Sequence, residues 1–291
     1  MDDVSDTARW VAFHRALESE RPDALFVDPF ARRLAGERGR RIAEAMPAVA
    51  GEQPGLRALA SGLAVRTKAF DEMIVDCVRS IGADAVLNLA AGLDARPYRL
   101  PLSSSLVWIE ADRASILDEK TEMLARANPA CVVERVAVDL ADDKAREGLF
   151  DRVAGAHRRV VVVTEGLLVY LDEVRVASLA DGLRARSPMQ RWVLESVASE
   201  FLERTMRAWG KVLAQANAEW KFAPANGFDF FRPHGWSLTV RRPFFGEARR
   251  LGREREVPHG RLLRALSSLS GRFRQRLENQ VVYGVLQPHP G

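Results

Sequence analysis

The chain has 291 residues, of which 47% are hydrophobic and 28% are charged; this composition excludes wholly disordered, collagen-like and coiled-coil proteins. Its apolar runs are strand-sized, shorter than the ~18–20 residues that a membrane span requires, so no membrane association is expected. The 43 basic and 39 acidic residues give a net charge of +4. Basic and acidic residues are interleaved along the chain, which argues against a nucleic-acid partner.

The N-terminus and the cysteines both favour a cytoplasmic protein. Acidic residues stand at positions 2, 3 and 6, where a secretory signal would carry basic residues before an apolar segment. Cys77 and Cys131 are too few for a disulfide framework or a cysteine zinc site, and each lies in an apolar stretch. We therefore predict two buried, inert thiols and no metal site.

The first 81 residues read as a helical N-terminal cap. Ser5 or Asp6 can begin a helix, and Asp28 begins a second helical turn that we expect to reach Leu34 and to end before Gly36. A third helix is predicted over residues 56–81, where apolar residues recur along one stripe. Residues 47–55 are predicted to form a loop.

From residue 82 the pattern changes to short apolar runs that alternate with helical segments, which is typical of a doubly wound parallel sheet. The predicted strands are 85–90, 106–109, 132–138, 160–164 and 192–195, with helices over 114–128 and 173–186. Residues 82–199 would form this core, and a helix over 200–220 with a loop over 224–235 would form a lid. Strands 236–241 and 280–286 would complete the sheet within one domain spanning residues 1–291.

Small or acidic residues end four successive predicted strands: Ala90 to Gly92, Asp112, Asp139 and Glu165. Open α/β sheets bind ligands at this carboxyl edge, and small residues such as Ala90 let a ligand approach the backbone. For Asp112 or Asp139 taken singly, capping of the next helix is an equal alternative. A nicotinamide cofactor fits less well than S-adenosylmethionine, because the first turn lacks G-x-G-x-x-G and no tyrosine is followed four residues later by lysine.

Several segments together resemble the leucine carboxyl methyltransferase family of S-adenosylmethionine-dependent enzymes. They are Arg66-Thr67-Lys68-x-Phe70-Asp71, Asn88 through Leu100, Glu110-Ala111-Asp112, Val138-Asp139-Leu140 and Glu165 through Leu171, together with a leader from Thr7 to Ala31. The likeness spans about residues 5–200. Within the family, the chain is most similar to the bacterial branch that acts on small molecules, which includes polyketide carboxyl methyltransferases of the tetracenomycin type.

The resemblance implies a Rossmann-like class I methyltransferase fold of seven strands, with the final strand, near 280–286, antiparallel. It also implies the residues that bind S-adenosylmethionine: Arg66 for its carboxylate, Gly92 for its methionine part, Asp112 for the ribose, Asp139 and Leu140 for adenine, and Glu165 near its amino end. A guanidinium suits a carboxylate because its planar fork can donate two parallel hydrogen bonds.

The acceptor pocket is expected between the cofactor and a cover made from the cap and lid. Six aromatic residues give the lid an aromatic character: Trp209, Trp220, Phe222, Phe228, Phe230 and Phe231. Core packing is expected to explain several of them, and the set as a whole suits a flat aromatic acceptor. Tyr170 is a candidate catalytic residue, although it could equally be a core aromatic. His14 and His234 are the remaining candidate bases, with a surface or packing role as the favoured alternative.

These features predict an O-methyltransferase that esterifies a carboxyl group of a small aromatic or polyketide-type molecule. A carboxylate with an ordinary pKa near 4 is ionised at neutral pH and needs no general base, whereas a phenol benefits from one. Two alternatives stay open: a hydroxyl O-methyltransferase, and a catalytically silent S-adenosylmethionine-binding scaffold. The oligomeric state is not predicted.

Overall fold

Three helices precede the sheet in this computed structural model, which describes residues 5–45, 56–257 and 278–289. They are α1 (Ser5–Ser19), α2 (Ala31–Ala45) and α3 (Leu56–Ile81). The bounds of α3 are the predicted ones. The predicted loop 47–55 lies outside the described residues.

Helix α2 consists of two helical segments that meet at Gly36. Gly36 adopts the non-helical angles φ 57° and ψ −173°, so the first turn ends there as predicted, but the second segment, which reaches Ala45, was not predicted. A buried face that includes Leu34, Gly39 and Ala43 runs through both halves. A Cβ built on Gly39 would lie 2.7 Å from the Arg9 carbonyl oxygen of α1, so close packing of α1 and α2 explains why the helix continues.

Seven strands form one sheet with the order β3-β2-β1-β4-β5-β7-β6. In chain order they are β1 (Ala85–Leu89), β2 (Val107–Asp112), β3 (Val132–Ala137), β4 (Val160–Thr164), β5 (Met189–Val197), β6 (Trp236–Pro243) and β7 (Val281–Pro288). The first five pair in parallel, and β7 lies antiparallel between β5 and β6. The predicted class I methyltransferase topology, with its antiparallel final strand, is confirmed.

Helices cover both faces of the sheet. They are α4 (Ala114–Met123), α5 (Asp143–Ala156), α6 (Glu173–Arg184), α7 (Ser199–Gln215) and α8 (Phe244–Arg250). The central strands β1 and β4 are buried at every position, as expected for parallel strands covered on both faces. Cys77 and Cys131 are both buried and free, as predicted.

Helix α7 ends earlier than the predicted helix over 200–220. Asn217 takes a left-handed φ of 50°, and the Ala218 amide donates to the Leu213 carbonyl at 2.8 Å, which closes the helix end. The chain then turns back, so that Trp220 packs in the cluster around Trp209 and the segment from Phe222 onward packs against the sheet. No helix within the described ranges is long and apolar enough to cross a membrane. The cytoplasmic location stays a prediction.

Candidate active site

A cavity of about 340 Å³ opens at the carboxyl ends of β1, β4 and β5. Helices α1, α3 and α7 cover it, and β7 closes one side. Its walls include Arg66, Ala90, Gly92, Glu165 and Tyr170 among the predicted site residues. The position at the carboxyl edge of a parallel sheet is where α/β folds bind ligands.

The turn after β1 brings backbone to the cavity wall. Ala90 and Gly92 both adopt left-handed backbone, with φ of 54° and 48°, which is costly for alanine. A Cβ on Gly92 would lie 3.1 Å from the Ala8 Cβ of α1. The Gly92 amide donates to Asp112 Oδ2 at 2.7 Å. The turn is therefore both tight and tied to the end of β2.

A buried ionic cluster forms the floor of the cavity. Arg96 Nη1 lies 2.7 Å from Glu165 Oε2 and 2.9 Å from Asp94 Oδ2, and Arg96 Nε donates to Asp71 Oδ1 at 2.7 Å. Arg99 adds two further hydrogen bonds to Asp71. The side chain of Arg96 is only 4% exposed, so its positive charge holds three carboxylates together away from water.

Arg66 joins this floor from α3 and keeps unused donors. Its Nε lies 2.8 Å from Glu165 Oε1 as an ion pair, but the N–H direction does not make a hydrogen bond. Its Nη1 lies near Gly166, 3.8 Å from where a Cβ would stand. Neither terminal nitrogen of Arg66 donates to any residue in the part of the chain that the structure describes. This arrangement fits a carboxylate ligand, as the resemblance implies.

The positive charges of this floor also lower the pKa of the Glu165 carboxyl. Burial alone would raise the pKa of the Glu165 carboxyl, but the positive charges of Arg96 and Arg66 lower it below the ordinary value. Glu165 is therefore ionised at neutral pH. Each of its oxygens already faces one arginine.

Glu195 is a site residue that the sequence analysis missed. It stands near the end of β5, 8% exposed, and lines the cavity. Its Oε1 accepts from the Gly166 amide at 2.6 Å, while its Oε2 has no hydrogen-bond partner among the described residues. Burial, the largest effect, raises the pKa of Glu195 to about 7. The sequence offers one signal for Glu195, which is an acidic residue inside the apolar run of β5.

The roof is apolar and aromatic. Trp209 of α7 packs edge-on against Trp10 of α1, with 5.9 Å between the ring centroids. Trp220 and Tyr170 belong to the same cluster, and all four side chains line the cavity. Of the two readings of Tyr170, the structure supports the cavity wall. Burial raises the pKa of the Tyr170 hydroxyl, so it stays protonated at neutral pH.

Two of the six lid aromatics shape the pocket, and the other four pack in the core, as was expected of several of them. Trp209 and Trp220 line the cavity, but the other four do not. Phe222, Phe228, Phe230 and Phe231 join the hydrophobic core on one face of the sheet. Phe231 is fully buried, with its ring 5.2 Å from that of Trp192, because the segment after α7 folds against β5 and β6.

The predicted adenosine-side residues lie outside this cavity. Asp112 does not line the cavity, and its link to the cavity wall is the hydrogen bond that it accepts from the Gly92 amide. Asp139 is exposed and accepts from the Ala141 amide in the loop before α5. It does not cap that helix, because the N-cap of α5 is Asp142. Leu140 packs against the core and its carbonyl accepts from Arg146. The binding roles of these three residues stay predictions.

Neither candidate histidine contributes to the cavity. His234, proposed as catalytic, pairs with Asp181 at 2.8 Å on the outer side of α6 and packs beside Phe230. We correct that assignment, since the turn after Phe231 places His234 away from the cavity lining. His14 is fully buried, and burial lowers its pKa to about 4. Its ring packs beside Trp10, which matches the packing alternative.

Three of the placed features fit S-adenosylmethionine on their own chemistry. Gly92 brings its half-buried turn to the cavity wall beside Asp112. Arg66 has terminal donors, and Glu195 has one carboxylate oxygen, that make no hydrogen bond within the described residues. No three His, Cys, Asp or Glu side chains within the described ranges are placed to hold a metal ion.

Comparisons with known proteins show the family of this chain. The leucine carboxyl methyltransferase family model matches residues 8–184. A proposed S-adenosyl-L-methionine-dependent methyltransferase of Mycolicibacterium smegmatis is 32% identical over 260 residues, covering 82% of this chain and 85% of that protein. A relative from Mycobacterium sp. strain KMS, similarly named, is 32% identical over 255 residues and covers 82% and 84% of the two chains.

Solved structures share the fold at low sequence identity. A DUF574 family protein of Streptomyces avermitilis superposes with a TM-score of 0.61 at 13% identity, covering 98% of this chain and 97% of that one. A proposed methyltransferase of Thermobifida fusca gives 0.56 at 13% identity, with 90% and 93% covered. These likenesses concern the fold alone. The family match, the relatives and the site together establish that this chain belongs to the leucine carboxyl methyltransferase family and is an S-adenosylmethionine-dependent methyltransferase.

Proposed function

We propose that the enzyme is an O-methyltransferase that esterifies a carboxyl group of a small, aromatic or polyketide-type acceptor, and that it works in the cytoplasm. The observation that carries this proposal is Arg204, a cation in the apolar roof that has no acidic partner among the residues the structure describes. The remaining walls of that part of the cavity are largely aromatic and aliphatic, which suits a flat apolar molecule.

Arg204 lines the cavity from α7. Its Nη2 donates to Gln280 Oε1 at 3.0 Å, and its guanidinium lies over the Phe201 ring at 5.2 Å. No carboxylate among the described residues lies within ion-pair distance of it. Burial, with a further contribution from Arg207, lowers the pKa of Arg204. An anionic acceptor would supply the missing negative charge.

A carboxylate acceptor also suits the chemistry of the cofactor. S-adenosylmethionine supplies a methyl group that is already electrophilic, because its sulfur is positively charged. The protein must mainly hold the acceptor oxygen in line with that methyl group. An ionised carboxylate has no proton to lose, so Arg204 need only orient one of its oxygens.

A hydroxyl acceptor is the second candidate, and Glu195 is the observation that favours it. A carboxylate in the cavity with a pKa near neutrality is suited to general base catalysis. Glu195 would then remove the acceptor's proton. The two candidates differ in the product, since methyl esters are hydrolysed by mild base and ethers are not.

The test is a panel of aromatic acids and phenols incubated with methyl-labelled S-adenosylmethionine, followed by mild base. We expect label that base releases, on acid acceptors only. Arg204→Gln should raise the acceptor KM by about 10–100-fold, the loss of a charge-assisted hydrogen bond. Arg207→Gln on the same helix is the matched control, because its side chain is 73% exposed. Base-stable label on phenols would contradict the proposal.

A further inference from the structure

We propose that Arg15 of α1 is a positioning residue for S-adenosylmethionine, and that it acts through the turn after β1, whose conformation it holds. The inference concerns cofactor binding, so it does not depend on which acceptor is methylated. It gives the N-terminal cap a role in cofactor affinity in addition to covering the cavity.

The turn after β1 contains a strained residue. Ala90 adopts a left-handed φ of 54°, a region that is disfavoured for alanine by a factor of about 5–30. Such a residue keeps its conformation only where its surroundings fix it. The hydrogen bond from the Gly92 amide to Asp112 is one such restraint. The shape of the turn therefore depends on contacts that lie outside the turn.

Arg15 provides a second restraint, from the cap. Its Nη2 donates to the carbonyl oxygen of Leu93, the residue after Gly92, at 2.6 Å. Its Nε donates to Asp28 Oδ2 at 2.9 Å, and the Asp28 side chain is fully buried. Hydrogen bonds from a charged donor are shorter and stronger than those between neutral groups. One guanidinium thus joins the turn to the segment between α1 and α2.

Asp28 is itself fixed from several sides. Its Oδ1 accepts from the Phe30 amide at 3.1 Å, and its own amide donates to Ser19 Oγ at 2.9 Å. Its Oδ2 also lies 3.9 Å from the Nε of Arg99, which belongs to the ionic floor. The carboxylate that orients Arg15 is therefore held by both the cap and the floor.

The side chain of Leu93 is anchored independently of Arg15. Leu93 is 2% exposed and packs in one apolar cluster with Phe13 of α1 and Leu34 of α2. This packing keeps the cap on the turn when the Arg15 hydrogen bond is removed. We therefore expect loss of Arg15 to change the conformation of the turn backbone rather than to detach the cap.

The strain at Ala90 gives this idea a distinctive consequence. A ligand binds more weakly in proportion to the fraction of protein that is not in the binding conformation. Without the hydrogen bond from Arg15, the left-handed φ of Ala90 can relax, which lowers that fraction. Ala90→Gly removes the penalty, because glycine adopts left-handed backbone about as readily as right-handed backbone. Ala90→Gly should therefore compensate for the loss of Arg15.

The test is calorimetric binding of S-adenosylhomocysteine, the demethylated cofactor, to the wild type, Arg15→Met, Ala90→Gly and the double variant. Arg15→Met should weaken binding by about 5–30-fold. Ala90→Gly alone should stay within about twofold of the wild type, and the double variant within about threefold. Arg32→Met is the matched control, because Arg32 pairs with Glu20 within the cap, is 48% exposed and does not line the cavity.

Hydrogen exchange of the Gly92 amide provides a readout without any ligand. Exchange should be faster in Arg15→Met than in the wild type and slower again in the double variant. Arg15→Lys keeps a positive charge beside Asp28 but lacks the fork that reaches both partners, so it should show the same pattern if Arg15→Met does not fold.

Two results would overturn the proposal. Arginine variants that bind S-adenosylhomocysteine like the wild type would show that the turn does not need Arg15. A loss of affinity that Ala90→Gly does not restore would mean that Arg15 contacts the cofactor directly or only supports the fold. Neither result depends on an acceptor, so failure of the carboxyl assignment would leave this test intact.

Discussion

The floor and the roof of the cavity differ in whether their buried charges have partners. In the floor, Arg96 lies among Asp71, Asp94 and Glu165, so that nearly every buried charge has a partner. In the roof, Arg204 lies among aromatic side chains with no acid within ion-pair distance in the described chain. A paired network keeps its geometry without a ligand, whereas an unpaired charge is completed by one. We infer that the floor is pre-organised for the cofactor and that the roof selects the acceptor.

The largest expected effect comes from breaking the floor. Arg96→Met would leave three buried carboxylates without their shared partner, and should lower the free energy of unfolding by about 3–5 kcal/mol. Arg204→Met in the roof should cost less than about 1 kcal/mol, since no carboxylate loses a partner. Urea unfolding of both variants checks the contrast. Equal losses would remove the distinction between the two regions.

Glu195 is the exception within the floor, and its stability effect should depend on pH. Its pKa is raised from 4.5 to about 7, so the folded state holds a proton that the unfolded state has lost. Stability from this group is present below pH 4.5 and is lost as pH rises through 7, by up to about 3 kcal/mol.

Glu195→Gln has no such titration, so its stability relative to wild type should increase by up to about 3 kcal/mol between pH 4.5 and 8. Urea unfolding at both pH values measures this change. Glu203→Gln is the matched control on α7, because the Glu203 side chain is 64% exposed. A pH-independent difference would mean that Glu195 is ionised throughout.

Binding should separate the two regions in a second way. Arg66→Lys should weaken S-adenosylhomocysteine by about 1–3 kcal/mol, because an ammonium cannot reproduce the guanidinium fork. Arg204→Lys should leave that affinity within about twofold and change only the acceptor KM. Calorimetry and steady-state kinetics on the two variants test this. If both variants weaken binding of the same ligand, the assignment of the floor to the cofactor and of the roof to the acceptor is wrong.

The smallest effect is expected outside the cavity. His234 pairs with Asp181 away from the cavity lining, so His234→Ala should retain the wild-type rate within about twofold. Single-turnover rates at saturating cofactor provide the measurement. A loss of the ~10²-fold or more typical of a general base would restore the original assignment of this residue.

The elements that could be predicted are those with strong local periodicity. Helix α3 shows an unbroken apolar stripe, and the buried strands β1 and β4 are short apolar runs between turn residues. The continuation of α2 past Gly36 could not be predicted, because it depends on packing against α1. Likewise, the burial of Phe231 depends on which side of β5 the chain returns to, and helical spacing carries no such information.

The candidate site divides in the same way. Arg66, Gly92 and Glu165 could be named from the sequence because they lie in family motifs, Arg66 on α3 and the other two after β1 and β4. Glu195 and Arg204 stand in segments without such a motif. What marks them is that, among the described residues, Glu195 Oε2 has no hydrogen-bond donor and Arg204 has no carboxylate within ion-pair distance. A missing hydrogen bond or ion pair becomes visible only when the surrounding side chains are placed.

The central claim, methyl transfer to a carboxylate, is tested most directly by the pH dependence of the single-turnover rate. With saturating S-adenosylmethionine and an acid acceptor from the panel, the acceptor carboxylate has no proton to lose. The account predicts a rate that is flat within about twofold from pH 6 to 9. A rate that rises about tenfold per pH unit near neutrality, and loses that rise in Glu195→Gln, would contradict it and support the hydroxyl candidate, in which Glu195 is the general base.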